Sequence, residues 1–159
     1  PTPIFSGGYV YITAGYGVGC KLIDIGKNYP SDVYENKVMK NHHGGVIKVG
    51  EHLYGYSDGV GWACQDFKTG ELVWNEKKAL GKGAIAYADK RFYCQGEGDG
   101  KVILIEASPN GWKTHGEFTI NPQTKKRNPK GRVWTHPVIC DGKLYLRDQE
   151  YILCYDLKR

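Results

Sequence analysis

Apolar residues fall in short runs along this chain, and each run is closed by Gly, Asp, Asn or Pro. Such spacing predicts short strands joined by tight turns throughout. An apolar-Tyr pair opens one strand in each of four stretches, as Val10-Tyr11, Leu53-Tyr54, Phe92-Tyr93 and Leu144-Tyr145. The Tyr-to-Tyr steps are 43, 39 and 52 residues, which makes this a repeat.

The rest of each unit follows the same order. A turn precedes the pair, at Gly7-Gly8, Gly50-Glu51, Asp89-Lys90 and Asp141-Gly142, in residues that tolerate hairpin geometry. Before the turn lies a short apolar strand around Ile4, Val46, Ile85 and Val138. After the pair, a third strand ends in an acidic residue, at Asp24, Asp66, Glu106 and Asp156. A fourth strand is expected around Asp32 to Met39, Glu71 to Trp74 and Gly116 to Ile120. Four-stranded meanders of about 40 residues are the building unit of a β-propeller.

The fold class is therefore all-β, with blades at residues 1–41, 42–82, 83–132 and 133–159. The last blade lacks its outer strand. An insertion at 121–132, with Pro122, Pro129, Lys125-Lys126-Arg127 and Lys130-Gly131-Arg132, explains the long third step and reads as an exposed loop. No strand is available at the start to complete the fourth blade. The expectation is thus the C-terminal blades of a seven- or eight-bladed ring, or a ring built from two copies.

Composition narrows the function only a little. The net charge of +5 is scattered, without the basic stripe and interleaved aromatics that nucleic-acid binding requires. No stretch of 18 apolar residues is present, so no membrane-spanning helix is predicted. Cys20, Cys64, Cys94, Cys140 and Cys154 lack C-x-x-C spacing and sit in strand segments, where they read as small buried hydrophobes. Cys64 and Cys154 share a register position with Leu22 and Leu104. Gly15-Tyr16-Gly17-Val18-Gly19 precedes a strand rather than a helix, which makes it a hairpin turn and not a phosphate loop.

Asp66-Phe67-Lys68-Thr69-Gly70-Glu71-Leu72-Val73-Trp74 fits D-x-x-T-G-x-x-x-W. It resembles the tryptophan-docking motif of the pyrroloquinoline-quinone (PQQ)-binding-like, or quinoprotein-like, propeller repeat proteins. The resemblance implies that Asp66, Thr69 and Gly70 lock the corner between third and fourth strands and that Trp74 packs on the next blade. It also implies a periplasmic or cell-envelope location. Catalytic members use an adjacent cysteine pair and calcium ligands; no Cys-Cys occurs here. No cofactor is therefore expected in this chain, with PQQ and calcium reserved for an intact ring that is an enzyme.

Connections into the innermost strands of a propeller converge on one rim of the channel. Here they carry His42, His43, Lys82, Trp134, Thr135 and His136, a set able to hold an anion or a sugar. Adjacent His42 and His43 point to opposite faces of a strand, which is poor metal spacing, and no metal is expected. Arg147-Asp148 replaces small residues at the end of a strand, as a structural ion pair or as a ligand contact through Arg147. No catalytic constellation stands out. The readings are a non-catalytic binding or scaffold portion meeting a small ligand or protein at the rim, or part of a quinone-dependent alcohol or sugar dehydrogenase. The expected partners are the remaining blades of the same protein or a second copy.

Overall fold

A computed structural model describes residues 1–26 and 28–157, so the final Lys158 and Arg159 of the expected fourth blade lie outside it. Fifteen strands and no helix are found among the described residues. The first blade is β1 (Ile4–Ser6), β2 (Tyr9–Ala14), β3 (Gly19–Asp24) and β4 (Ser31–Asn36). The second is β5 (Val46–Val49), β6 (His52–Ser57), β7 (Gly61–Asp66) and β8 (Leu72–Glu76). The third is β9 (Gly83–Ala88), β10 (Arg91–Gly96), β11 (Lys101–Glu106) and β12 (Thr114–Thr119). The last is β13 (Val138–Cys140), β14 (Lys143–Asp148) and β15 (Tyr151–Asp156).

Each blade is an antiparallel meander in which strands pair in sequence order, with three strands in the last. Two-residue turns join the first and second strands. Gly7 and Gly8, Asp89 and Lys90, and Asp141 and Gly142 all have positive φ, the pattern whose twist matches a β-hairpin. The repeat extends to its irregularities. A bulge between third and fourth strands recurs at Leu22/Ile23, Cys64/Gln65 and Leu104/Ile105.

The core lies between blades, in three seams. Tyr11, Cys20 and Leu22 of the first blade meet Leu53, Ala63 and Phe67 of the second. Tyr54, Trp62 and Cys64 meet Phe92, Cys94, Ile103 and Ile105. Tyr93 and Val102 meet Leu144 and Leu146. The apolar-Tyr pair is the hinge of this packing, because neighbouring strand residues point to opposite faces. Leu53, Phe92 and Leu144 look back at the preceding blade, while Tyr11, Tyr54 and Tyr93 look forward to the next. Burying one such side chain stabilises by ~1.5–3 kcal/mol. Met39 and Ile120, expected at the ends of fourth strands, lie just beyond them and fill the seams.

The docking corner takes its geometry from backbone donors. Asp66 Oδ1 accepts the N–H groups of Lys68 and Thr69, both at 2.8 Å, and Gly70 N–H donates to Asp66 O at 3.0 Å. Gly70 has φ +74°, and a Cβ there would stand 2.7 Å from the Tyr34 ring and the Asn36 amide of the first blade. Trp74 Nε1 donates to Ser108 O of the third blade at 3.1 Å, and its ring contacts Tyr54 and Trp112.

Two sequence readings need correction. Cys20, Cys64 and Cys94 are buried, but Cys140 and Cys154 are exposed. Cys154 has the expected register, opposite Tyr145 as Cys64 is opposite Tyr54, but no blade among the described residues covers that face. The 121–132 insertion is also not wholly a surface loop. Arg127 turns inward and pairs with Asp148, whose side chain is fully buried.

Candidate functional site

In a four-stranded meander, the connection entering the first strand and the turn between second and third strands lie at the same end. Inter-blade connections carrying His42, His43, Lys82 and Trp134 therefore meet the turns carrying Tyr16, Asp58 and Glu97. The result is a polar rim spanning all four blades.

Two linked groups form it. Lys82 Nζ lies 2.7 Å from Asp58 Oδ1 and 2.9 Å from His42 Nδ1, and the His42 ring stands edge-on to Tyr16 with centroids 4.5 Å apart. His42 thus accepts from the ammonium while the carboxylate neutralises it. Beside this group, His43 Nε2 lies 2.7 Å from Glu97 Oε2, and the same oxygen accepts Trp134 Nε1–H at 3.2 Å. Burial pushes the His43 pKa down, with Lys82 and His42 adding to that effect, while Glu97 works the other way; the net direction is down. A neutral ring protonated on Nε2 fits this arrangement, since Nδ1 is buried and has no partner among the described residues. The rings of His42 and His43 sit 5.4 Å apart, and His43 lies 6.1 Å from Trp134.

His136 Nε2 lies 2.6 Å from His43 O, which fixes the fourth blade's entry against the second blade's. Thr135 Oγ1 donates to Arg147 O at 3.3 Å. Within the connection from the first blade to the second, Asn41 is buried and bonds Gly45 and Tyr56 through its carboxamide. A cavity of about 440 Å³ beneath the rim is lined by His43, His136, Val46, Ile47 and Ile85 with the first two residues of the chain.

Arg147 and Asp148 do not pair with each other, because strand neighbours project to opposite faces. Asp148 accepts Thr124 N–H at 2.9 Å and pairs with Arg127, which also donates to Gly98 O. Ser57 plays the same part in the second blade, accepting Lys40 N–H at 2.9 Å. Asp148 is thus the fourth blade's version of a contact that ties an inter-blade connection to a second strand. Arg147 is exposed, and its Nε donates to Gln149 O at 3.0 Å.

All seven candidate rim residues occur at this end of the molecule, but in separate clusters. His42 and Lys82 touch; His43, Trp134 and His136 form a second group; Thr135 and Arg147 flank a third. Sequence reading missed Tyr16, Asp58 and Glu97, which sit in or beside glycine turns that hairpin chemistry alone explains. The parity of the meander was the signal that could have found them.

No group of three or more His, Cys, Asp or Glu among the described residues is arranged to hold a metal ion. Two rim carboxylates, Asp58 and Glu97, are already engaged by Lys82 and by His43 and Trp134. These residues do not fit a calcium–quinone centre. Among the described residues, no helix is long and apolar enough to cross a membrane.

No protein-family model matches the chain, and no curated protein matches its sequence. Solved structures do match. The chain is similar to BamB from Moraxella catarrhalis, with 15% identity and TM-score 0.68 over 96% of this chain and 41% of that one. It is also similar to the computationally designed Ika8 protein, with 13% identity and TM-score 0.64 over 91% of this chain and 41% of that one. A europium-containing methanol dehydrogenase matches at 15% identity and TM-score 0.53, over 69% of this chain and 23% of that one. The fold is that of a β-propeller, and the chain spans less than half the length of these neighbours.

Proposed function

We propose that this chain is a non-catalytic binding or scaffold portion of a PQQ-like β-propeller protein, contacting a partner through the rim of Trp134, His43 and Lys82. The observation that carries this reading is the Trp134 indole. It is 59% exposed, yet it is held in place by Glu97 on its Nε1 and by the neighbouring His43 ring. A large aromatic side chain, immobilised before binding and surrounded by paired polar groups, is the form a binding hot spot takes. The paired states of Lys82, Asp58 and Glu97 favour a positioning role over acid–base chemistry.

The remaining blades belong on the open forward face of the fourth blade and the open back face of the first, supplied by the same protein or by a second copy. A periplasmic or envelope location follows from the resemblance of the Asp66–Trp74 motif. The alternative, part of a quinone-dependent alcohol or sugar dehydrogenase, draws on the methanol dehydrogenase likeness. It requires that other blades supply the whole cofactor site.

A photo-crosslinking residue placed at Trp134, in the protein as its own cells make it, tests the proposal. The control position is Lys90, in the turn at the opposite rim. A discrete adduct from position 134 and none from position 90 is the expected result. Equal labelling, or none from either position, would overturn it. Titration with PQQ and calcium addresses the alternative, which predicts saturable quinone absorbance changes.

A further inference from the structure

We propose that Arg132, Arg147 and Trp134 form a carboxylate-binding subsite at the rim between the third and fourth blades, an inference that rests on the docking role of this rim. The three line a cleft of about 100 Å³ together with Val133, Thr135 and Gln149.

The unusual feature is uncompensated positive charge. Lys82 is paired with Asp58, and Arg127 with Asp148. Among the described residues, Arg132 and Arg147 donate only to backbone carbonyls, through Nη1 to Gly131 O at 2.9 Å and through Nε to Gln149 O at 3.0 Å. Neither has a carboxylate at ion-pair distance among the described residues. A guanidinium has five N–H donors, so most of the donors on both face the cleft or solvent. Arg147 occupies the second-strand position held by Thr13, Tyr56 and Gln95 in the other units, so the charge is peculiar to this blade.

The surroundings are fixed before any ligand arrives. Val133 is buried and its N–H donates to Glu97 O at 2.9 Å; Thr135 binds the backbone of Arg147; Glu97 holds the indole. Pre-ordering of this kind lowers the entropy lost on binding. Volume and charge then select the ligand. A cleft of this size takes one small group. The Glu97 carboxylate that holds the indole adds negative charge beside the cleft, which disfavours a dianionic phosphate more than a monoanionic carboxylate. A planar carboxylate matches the guanidinium fork and can lie against the indole.

The carboxylate could come from an acidic polypeptide segment or from a free carboxylic acid. The test follows the Trp134 indole N–H resonance of the ¹⁵N-labelled protein at low salt. Capped hexaglutamate, capped hexaglutamine and glutarate are the three probes. Hexaglutamate should shift the resonance saturably, and hexaglutamine should not. Arg132→Gln and Arg147→Gln should each weaken binding about tenfold, and the double variant should abolish it. Lys113→Ala, away from the cleft, should bind as the parent does. Both arginines are exposed, so their replacement leaves the fold intact. Glutarate binding as well as the peptide identifies a free acid as the source, and peptide binding alone identifies a polypeptide. Equal shifts with hexaglutamine, or undiminished binding by the double variant, would overturn the subsite. Should crosslinking at position 134 persist in that case, docking at the rim stands and only the carboxylate inference falls.

Discussion

The seam between the second and third blades and the open forward face of the fourth are built from the same sequence positions and end in opposite states. In the seam, Tyr54 stacks 4.6 Å from Phe92, Cys64 is fully buried, and Trp62 is sealed beneath Trp112. On the open face, Tyr145 and Cys154 hold the equivalent positions, Cys154 is exposed, and Ile152, the counterpart of Trp62, is 74% exposed. The strands of both blades are paired in the same register. Blade formation is therefore local, whereas burial depends on the neighbour. A quasi-one-dimensional array of this kind draws much of its stability from interfaces, so its ends are its weak points.

Thiol chemistry exposes that difference most sharply. Burial pushes the Cys64 thiol up to about 11, and complete burial also raises the Cys94 thiol well above its ordinary value. Cys154 and Cys140 are open to solvent. With an excess of a thiol reagent near pH 8, Cys140 and Cys154 should react at once. Cys64 should lag by about a thousandfold or more, because it must wait for the seam to open. Mass spectrometry of quenched samples reads the order, and comparable rates at Cys64 and Cys154 would mean that the seam is not closed in solution.

Truncation asks the same question in free energy. Trp62→Ala removes a fully buried indole whose Nε1 donates to Leu80 O at 3.1 Å, and should cost about 4 kcal/mol by denaturant unfolding. Ile152→Ala should change stability by less than about 0.5 kcal/mol. A large loss at Ile152 would show that something covers the fourth blade in solution, such as a second copy.

Glycine substitution separates a turn from a docking corner. Gly50 and Gly70 both have positive φ, but a Cβ at Gly50 would meet open space, while one at Gly70 would strike Tyr34 and Asn36. Those neighbours cannot easily move, since Tyr34 Oη donates to Phe67 O and Asn36 Nδ2 donates to Gly70 O. Gly50→Ala should cost about 1 kcal/mol from its backbone conformation alone. Gly70→Ala should cost about 3 kcal/mol, once the displaced ring and amide are included. Equal losses would remove the corner's special status.

Much of this architecture was legible in the chain because each strand carries its own signal. The four apolar-Tyr pairs, their preceding turns and their acidic endings mark the blades, and the D-x-x-T-G-x-x-x-W stretch marks one corner. What escaped detection depends on contacts across blades. Cys154 reads as buried because its register is that of Cys64, and they differ in that a following blade covers Cys64 while none among the described residues covers Cys154. Asp58 and Glu97 read as turn residues because nothing nearby in sequence names Lys82 or His43 as their partners. Arg127 reads as exposed because the buried carboxylate that draws it inward lies 21 positions away.

The mildest prediction concerns pH. Burial works to raise the Asp66 carboxyl, but the N–H groups of Thr69 and Lys68 and the Thr69 hydroxyl outweigh it, and the net shift is downward. The sign follows from linkage. A carboxyl depressed in the folded state contributes stability above its unfolded pKa of about 3.9, and that contribution is lost as pH falls through the folded value. Asp66→Asn should therefore reduce stability at neutral pH by less than about 1 kcal/mol, since the group is only half-buried and partly screened by water. It should also flatten the acid limb of the stability profile below about pH 4, where the parent declines more steeply. Parallel profiles for parent and variant would mean that the corner is held by Gly70 and Trp74 without help from the charge.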